Sequence, residues 1–180
     1  MKLEFWSYYL SPISIDDAES LHSFIASNKD RINRYFPKTV AQNSTLEWSK
    51  IFADKKVNEF NDKEEFLFTL KEKNKDKLVG LIYLKALDWE KKKGEFAYCI
   101  DKSLERKGIT TQAIKQLSEF AFDQLKLETL QIIVHKSNIP SIKIAKNCNF
   151  YWIKTLEKEF TPPGEKPLDM ELYELYNNIT

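Results

Sequence analysis

The spacing of apolar residues changes several times along the chain, and each change marks an element. Tyr8 to Leu10 has the character of a short strand. Ser14 and Asp17 then have the spacing of a capping box, where a hydroxyl and an acid three residues on satisfy backbone N–H groups at a helix start. Ala18, Leu21, Phe24 and Ile25 follow at helical spacing and predict an amphipathic helix. A second helical stretch carries Arg31, Ile32 and Tyr35 and is expected to stop at Pro37. Ser44 and Glu47 offer another capping box, before Leu46, Ile51 and Phe52. The first seventy residues are expected to be mostly helical.

From Glu65 the period shortens. Phe66 to Leu70 and Leu78 to Leu84 read as strands around the polar turn Lys73-Asn74-Lys75-Asp76, and Glu95 to Ile100 follows a second turn, Trp89 to Gly94. The lysines in both turns are flanked by acids, as at solvated hairpin tips that discourage edge pairing. Ile109, Ala113, Leu117, Phe120, Ala121 and Leu125 recur at helical spacing. Leu130 to Val134 is a strand and Ser137 to Cys148 a second amphipathic helix. Phe150 to Phe160 and Leu168 to Leu175 are strands joined through Thr161-Pro162-Pro163-Gly164. Helices, a meander, then strands alternating with helices make a mixed α/β (α+β) sheet. The unit from Glu95 to Val134 should pair its two strands in parallel.

Composition narrows the function. The 180 residues fit one domain, 1–180, with no repeat or linker to divide it. Twenty-eight basic against twenty-seven acidic residues leave a net charge of +1, without the basic surplus that a nucleic-acid or anionic-membrane partner favours. No apolar run suits a signal peptide or a membrane span. Cys99 and Cys148 lack metal-ligand spacing and read as reduced core residues, so a soluble protein of the cytoplasm is expected, with no metal. Whether it is a monomer or a homodimer stays open.

The segment from Cys99 to Ala113 carries the candidate chemistry. A strand ends, a polar loop with one glycine follows, and a helix begins. The first N–H groups of a helix lack intrahelical partners and sit at the positive end of its dipole, so such a turn can bind an anion. Gly108 would permit close backbone approach or a positive φ, Thr110 and Thr111 add hydroxyls, and Arg106 and Lys107 add charge. On spacing alone, an ordinary connection explains the segment equally well.

The order of the surrounding elements resembles the RimJ/RimL-type branch of the GNAT acetyltransferases. Their pyrophosphate loop reads [QR]-x-x-G-x-[GA], and often R-G-K-G-[YI]-[AG]-T-E-A. Here the window is Glu105-Arg106-Lys107-Gly108-Ile109-Thr110-Thr111-Gln112-Ala113, where Lys107, Gly108, Ile109, Thr111 and Ala113 agree with the longer form. Glu105 stands where Arg or Gln is usual, and Thr110 where a smaller residue is usual. Leu10-Ser11-Pro12-Ile13 with Asp16-Asp17-Ala18 and Leu21 is similar to the family's opening, and Asn28, Arg31 and Tyr35-Phe36-Pro37 to its next segment. Glu95 to Ile100 resembles E-[IL]-G-Y-x-[IL], with Ala97 for Gly. Asn138 to Ser141 and Asn149-Phe150 resemble N-x-x-S…G-F, with Asn149 for Gly.

The resemblance implies a single-domain GNAT fold: a mixed, mostly antiparallel sheet of about seven strands, splayed between the fourth and fifth, with about four flanking helices. It implies acetyl-CoA as co-substrate and an amine acceptor, most simply a protein or peptide N-terminus. Alternatives are a small amine such as a polyamine or aminoglycoside and, from a different class, a non-catalytic acyl-CoA-binding domain. Acetyl transfer to an amine needs a proton removed from the ammonium, a polarised carbonyl and a protonated leaving thiolate.

By resemblance Glu95 takes the ammonium proton; the residues equally allow a carboxylate that balances Lys91 to Lys93. A backbone N–H near Cys99 or Ile100 would bind the thioester carbonyl. Arg106, Lys107, Gly108, Ile109, Thr110 and Thr111 would hold the pyrophosphate. Asn138 would bind the pantetheine arm, and Ser141 would also contact the cofactor and protonate the thiolate, or both would simply cap a helix. Cys99 reads as core, His22 as structural, and His135 receives no role; Trp48, Trp89 and Trp152 are candidates for lining an acceptor pocket.

Overall fold

The computed structural model describes residues 1–177. Eight strands form one sheet in the order β1-β2-β3-β4-β5-β6-β8-β7, and five α-helices accompany it. Compactness divides the chain into two units. The first comprises Met1–Tyr83 with Tyr98–Glu105, and the second Leu84–Ala97 with the chain from Arg106 onward.

In the first unit, β1 (Leu3–Phe5) and β2 (Tyr8–Pro12) form a hairpin whose turn sets Trp6 at φ 46°. Three residues are too few to show alternation, so β1 is an additional strand beyond the sequence expectation. Beside β2 runs β3 (Phe66–Glu72), antiparallel, whose Phe66 to Leu70 are all buried. The Ser14–Asp17 pair opens a 3₁₀ turn, Ile15–Asp17, which leads into α1 (Ala18–Ile32). Buried Asp17 accepts from the Ser14 N–H at 3.0 Å and from Lys71 Nζ at 2.6 Å, so its charge is compensated on two sides. Ala18, Leu21, Phe24 and Ile25 are buried along α1, as the spacing predicts.

Two helix boundaries differ from expectation. Arg31 and Ile32 belong to the last turn of α1, and Pro37 begins α2 (Pro37–Ala41) rather than ending a helix. A proline at the first helical position forfeits no hydrogen bond, because that N–H has no intrahelical acceptor. For α3 (Leu46–Asn61) the cap is Thr45 rather than Ser44; its hydroxyl accepts from the Trp48 N–H at 3.3 Å.

Strands β4 (Lys77–Asp88) and β5 (Lys93–Ile100) each contribute residues to both units. In the first unit Gly80 passes close to β5: an added Cβ would stand 3.0 Å from the Cys99 carbonyl oxygen, a tight approach that favours glycine. The second unit holds α4 (Ile109–Asp123), β6 (Thr129–Val134), α5 (Ile139–Asn147), β7 (Tyr151–Phe160) and β8 (Leu168–Tyr176). Buried Ile109, Ala113, Ile114, Leu117 and Ala121 form the core face of α4.

β5 and β6 are parallel, as the β-α-β order requires, with Lys93 to Phe96 opposite Thr129 to Ile132. The paired register ends at Phe96 and Ile132, while β5 runs on to Ile100 and β6 to Val134. β8 pairs antiparallel with β6 and with β7, which closes the order as an edge strand.

Candidate functional site

The loop from β5 to α4 begins in the first unit. Asp101 follows β5, donates its N–H to the Val79 carbonyl at 2.7 Å, and caps a 3₁₀ turn, Lys102–Leu104. Its Oδ1 accepts from the Ser103 N–H at 2.9 Å and from Ser103 Oγ at 2.6 Å. These bonds, with the Ser103 hydroxyl foremost, hold the carboxyl below its ordinary range.

Glu105 comes next, and its carboxylate lies 3.0 Å from Arg31 Nη1. Through Nη2, Arg31 also donates to Asn28 Oδ1 at 2.9 Å and to the Ile100 carbonyl. Asn28 is itself 5% exposed and donates to the Phe24 carbonyl at 3.0 Å. Asn28 and Arg31, noted in the sequence only as matches to a helical segment, thus grip the end of β5.

In the second unit, Arg106 has φ 63° and Gly108 φ 74°, so the backbone turns left-handed twice before α4. Gly108 is the N-cap and has no side chain to satisfy the helix start. The intrahelical ladder begins with Gln112, whose N–H donates to the Gly108 carbonyl at 3.0 Å. The amides of Ile109, Thr110 and Thr111 precede that ladder, at the positive end of a fifteen-residue helix. No acidic residue occupies the first turn. Arg106, Lys107 and Gly108 are exposed, whereas Ile109 and Thr110 are buried at 2% and 8%. Thr110 therefore packs inward, and its extra bulk goes into the core. Taken together, the loop presents backbone donors and positive charge of the kind a diphosphate needs.

The second group of candidates lies at the start of α5. Asn138 is the N-cap, and its Oδ1 accepts from the Ser141 N–H at 3.3 Å. Pro140 sits in the first turn, as the capping interpretation requires. His135 Nδ1 bonds Ser137 Oγ at 2.7 Å just before it. At the far end, the Cys148 thiol reaches the Thr111 carbonyl at 3.4 Å and so ties α5 to the first turn of α4.

Glu95 lies on β5 opposite Gln131, half-buried. Its carboxylate is paired with Lys85 Nζ at 2.9 Å. Two of the hairpin lysines have other partners: Lys91 pairs with Asp88 at 3.1 Å and Lys92 with Glu128 at 2.5 Å. Lys85 is the residue the sequence did not single out; a strand lysine amid so many has no distinguishing signal. On β6, Gln131 donates to Glu174 Oε1 at 2.6 Å, which extends the polar row to β8.

The remaining residues weighed in the sequence have settings of their own. Burial pushes the Cys99 thiol up to about 12 and the Cys148 thiol to about 11. His22 Nδ1 pairs with the Asn43 carbonyl at 3.1 Å, in keeping with a structural part. Trp48, Trp89 and Trp152 are all exposed. No group of three or more His, Cys, Asp or Glu among the described residues could hold a metal ion.

Residues 8–151 match the family described as the acetyltransferase (GNAT) domain, about four-fifths of the chain. The chain belongs to the GNAT acetyltransferase family. Like other members, it is an N-acetyltransferase that draws on acetyl-CoA. This GNAT protein is 24% identical over 148 residues to the "Probable N-acetyltransferase YjcK" of Bacillus subtilis (strain 168), covering 79% of this chain and 80% of that one. Its fold is shared with the ribosomal-protein-S5-alanine acetyltransferase of Vibrio fischeri, at a TM-score of 0.92 and 20% identity over 99% and 98% of the two chains. A RimL ribosomal L7/L12 α-N-protein acetyltransferase in complex with coenzyme A superposes at a TM-score of 0.88, with 15% identity over 98% of each chain.

Proposed function

We propose that this GNAT enzyme transfers the acetyl group of acetyl-CoA directly to the α-amino group of a protein or peptide, of the ribosomal-protein type. The observation that carries the donor half is the start of α4: two left-handed residues, amides ahead of the intrahelical ladder and no acid in the first turn. Arg106 and Lys107 supply charge to the diphosphate, the amides of Ile109 to Thr111 supply hydrogen bonds, and Asn138 at the start of α5 serves the pantetheine arm. The acceptor half is supported by the named activities of the two structural relatives.

Acetyl-CoA brings an activated acyl group on a thiol leaving group. Glu95 receives the proton that the ammonium must lose before nitrogen can attack, either directly or through water. Lys85 Nζ, 2.9 Å away, holds that carboxylate in place on the strand. Near the end of β5, around Ile100, a backbone N–H would meet the thioester carbonyl. Ser141 donates the proton to the departing sulfur. The two buried thiols fit a reducing, cytoplasmic setting.

Calorimetric titration with acetyl-CoA tests the donor site. Wild type should bind and Gly108→Trp should not; equal binding by both would move the diphosphate elsewhere. Glu95→Gln should lower kcat roughly 100- to 1,000-fold with acetyl-CoA affinity retained, the scale of a lost general base. An acceptor screen decides the rest: faster turnover of polyamines or aminoglycosides than of N-terminal peptides would replace the protein acceptor with a small amine.

A further inference from the structure

The residue directly before the diphosphate loop is an acid, which is the wrong charge for that position. Glu105 precedes Gly108 by three residues, so chain length alone keeps their Cα atoms within about 11 Å. That is comparable to the screening length of roughly 10 Å at 0.1 M salt. A carboxylate free to swing there would oppose the binding of a diphosphate.

It is not free. Arg31 Nη1 lies 3.0 Å from the Glu105 carboxylate, and the guanidinium is held from its other side by Asn28 and the Ile100 carbonyl. Buried Asn28 in turn bonds the Phe24 carbonyl and Asp101. Arg31 is therefore a planar fork fixed by three acceptors rather than a loose surface side chain. The ion pair itself is one-third exposed, with side-chain exposures of 33% and 38%, and contributes little to stability for that reason. Its consequence must be sought in ligand binding.

We propose that Arg31 is a positioning residue for acetyl-CoA: by holding Glu105 it silences a carboxylate that the sequence sets at the threshold of the diphosphate loop. The inference rests on the donor site proposed above. It explains how the chain keeps an acid where the resemblance calls for Arg or Gln.

The experiment compares wild type, Arg31→Gln and Arg31→Gln/Glu105→Gln, with folding checked by circular dichroism. Glutamine at position 31 retains an amide donor for the Ile100 carbonyl but offers Glu105 no charge. At low salt Arg31→Gln should raise the KM for acetyl-CoA roughly 5- to 10-fold, with kcat and the acceptor KM unmoved, and the difference should fade in high salt. Adding Glu105→Gln should return the KM to within about twofold of wild type, since no charge is then left to silence. A double variant as impaired as Arg31→Gln would mean that Arg31 acts through packing or Ile100, and the proposal fails. It fails equally if Arg31→Gln binds like wild type.

Glu105→Gln alone leaves Arg31 in place and guards against a folding defect in the other variants. Its KM for acetyl-CoA should not rise; a rise overturns the idea. Wild type that does not bind acetyl-CoA would sink the donor site and this inference together. Binding lost in Gly108→Trp but indifferent to Arg31 would sink only this one.

Discussion

Cys99 and Cys148 are both buried thiols, yet they differ in where they stand: Cys99 is the next-to-last residue of β5, beside the proposed carbonyl site, and Cys148 closes α5. Burial raises both above the range where a thiolate forms at neutral pH. Iodoacetamide at pH 8 should therefore leave the folded protein unlabelled and modify both sites once denaturant is added. Cys99→Ser should keep kcat within a few-fold; a folded variant that lost activity completely would make the thiol a reacting group. Asp101 gives the pH-dependent counterpart. Its folded value lies below the ordinary one, chiefly through Ser103, so its contribution to stability is full above the ordinary carboxylate range and is lost as pH falls through the depressed value. In denaturant unfolding, the deficit of Asp101→Asn should be largest near neutrality and shrink steadily toward pH 3.

At the scale of elements, the end of α5 shows how a departure from a family pattern is absorbed. Asn149 takes the place of a glycine and adopts φ 62°. Its N–H donates to the Lys146 carbonyl at 3.1 Å, and the Phe150 N–H reaches back to Ala145 at 2.9 Å. That is the two-bond motif with which helices end in a left-handed residue, and asparagine tolerates it better than other non-glycine residues. Asn149→Ala should lower stability by about 1 kcal/mol while Asn149→Gly matches or exceeds wild type, read from denaturant midpoints. Arg106 is the parallel case in the diphosphate loop, left-handed at the position where the longer family window has glycine. Helices and strands with several turns or alternations were legible from spacing alone, as α1 and α4 illustrate. What was hidden was short or ambiguous: β1 has three residues, and Pro37 suits a helix start as well as a stop. The partners of charged residues were hidden for another reason. Arg31 and Glu105 lie 74 positions apart, and nothing local marks either as belonging to the other.

For the molecule as a whole, the order of elements and motifs was the strong part of the resemblance, because order survives where individual motifs erode. The chain matches the family across residues 8–151 and shares the fold, and the eroded positions turn out to have local remedies. Thr110 packs inward, Asn149 accepts the left-handed turn, and Glu105 is tied to Arg31. The far edge of the sheet carries a different kind of remedy. β7 is exposed along nearly its whole length, with Tyr151 and Trp152 67% and 56% open to solvent, in the manner of a strand inviting another to join it. Its register with β8 slips twice, between Trp152 and Lys154 and again between Leu156 and Phe160, where Lys158 turns to φ 52°. A newcomer strand could match the regular stretch between the slips and no more. Crowded in a cell, such an edge offers neighbouring copies too short a seam to zip along, so the same irregularities that blur its pattern guard the protein against growing into fibres.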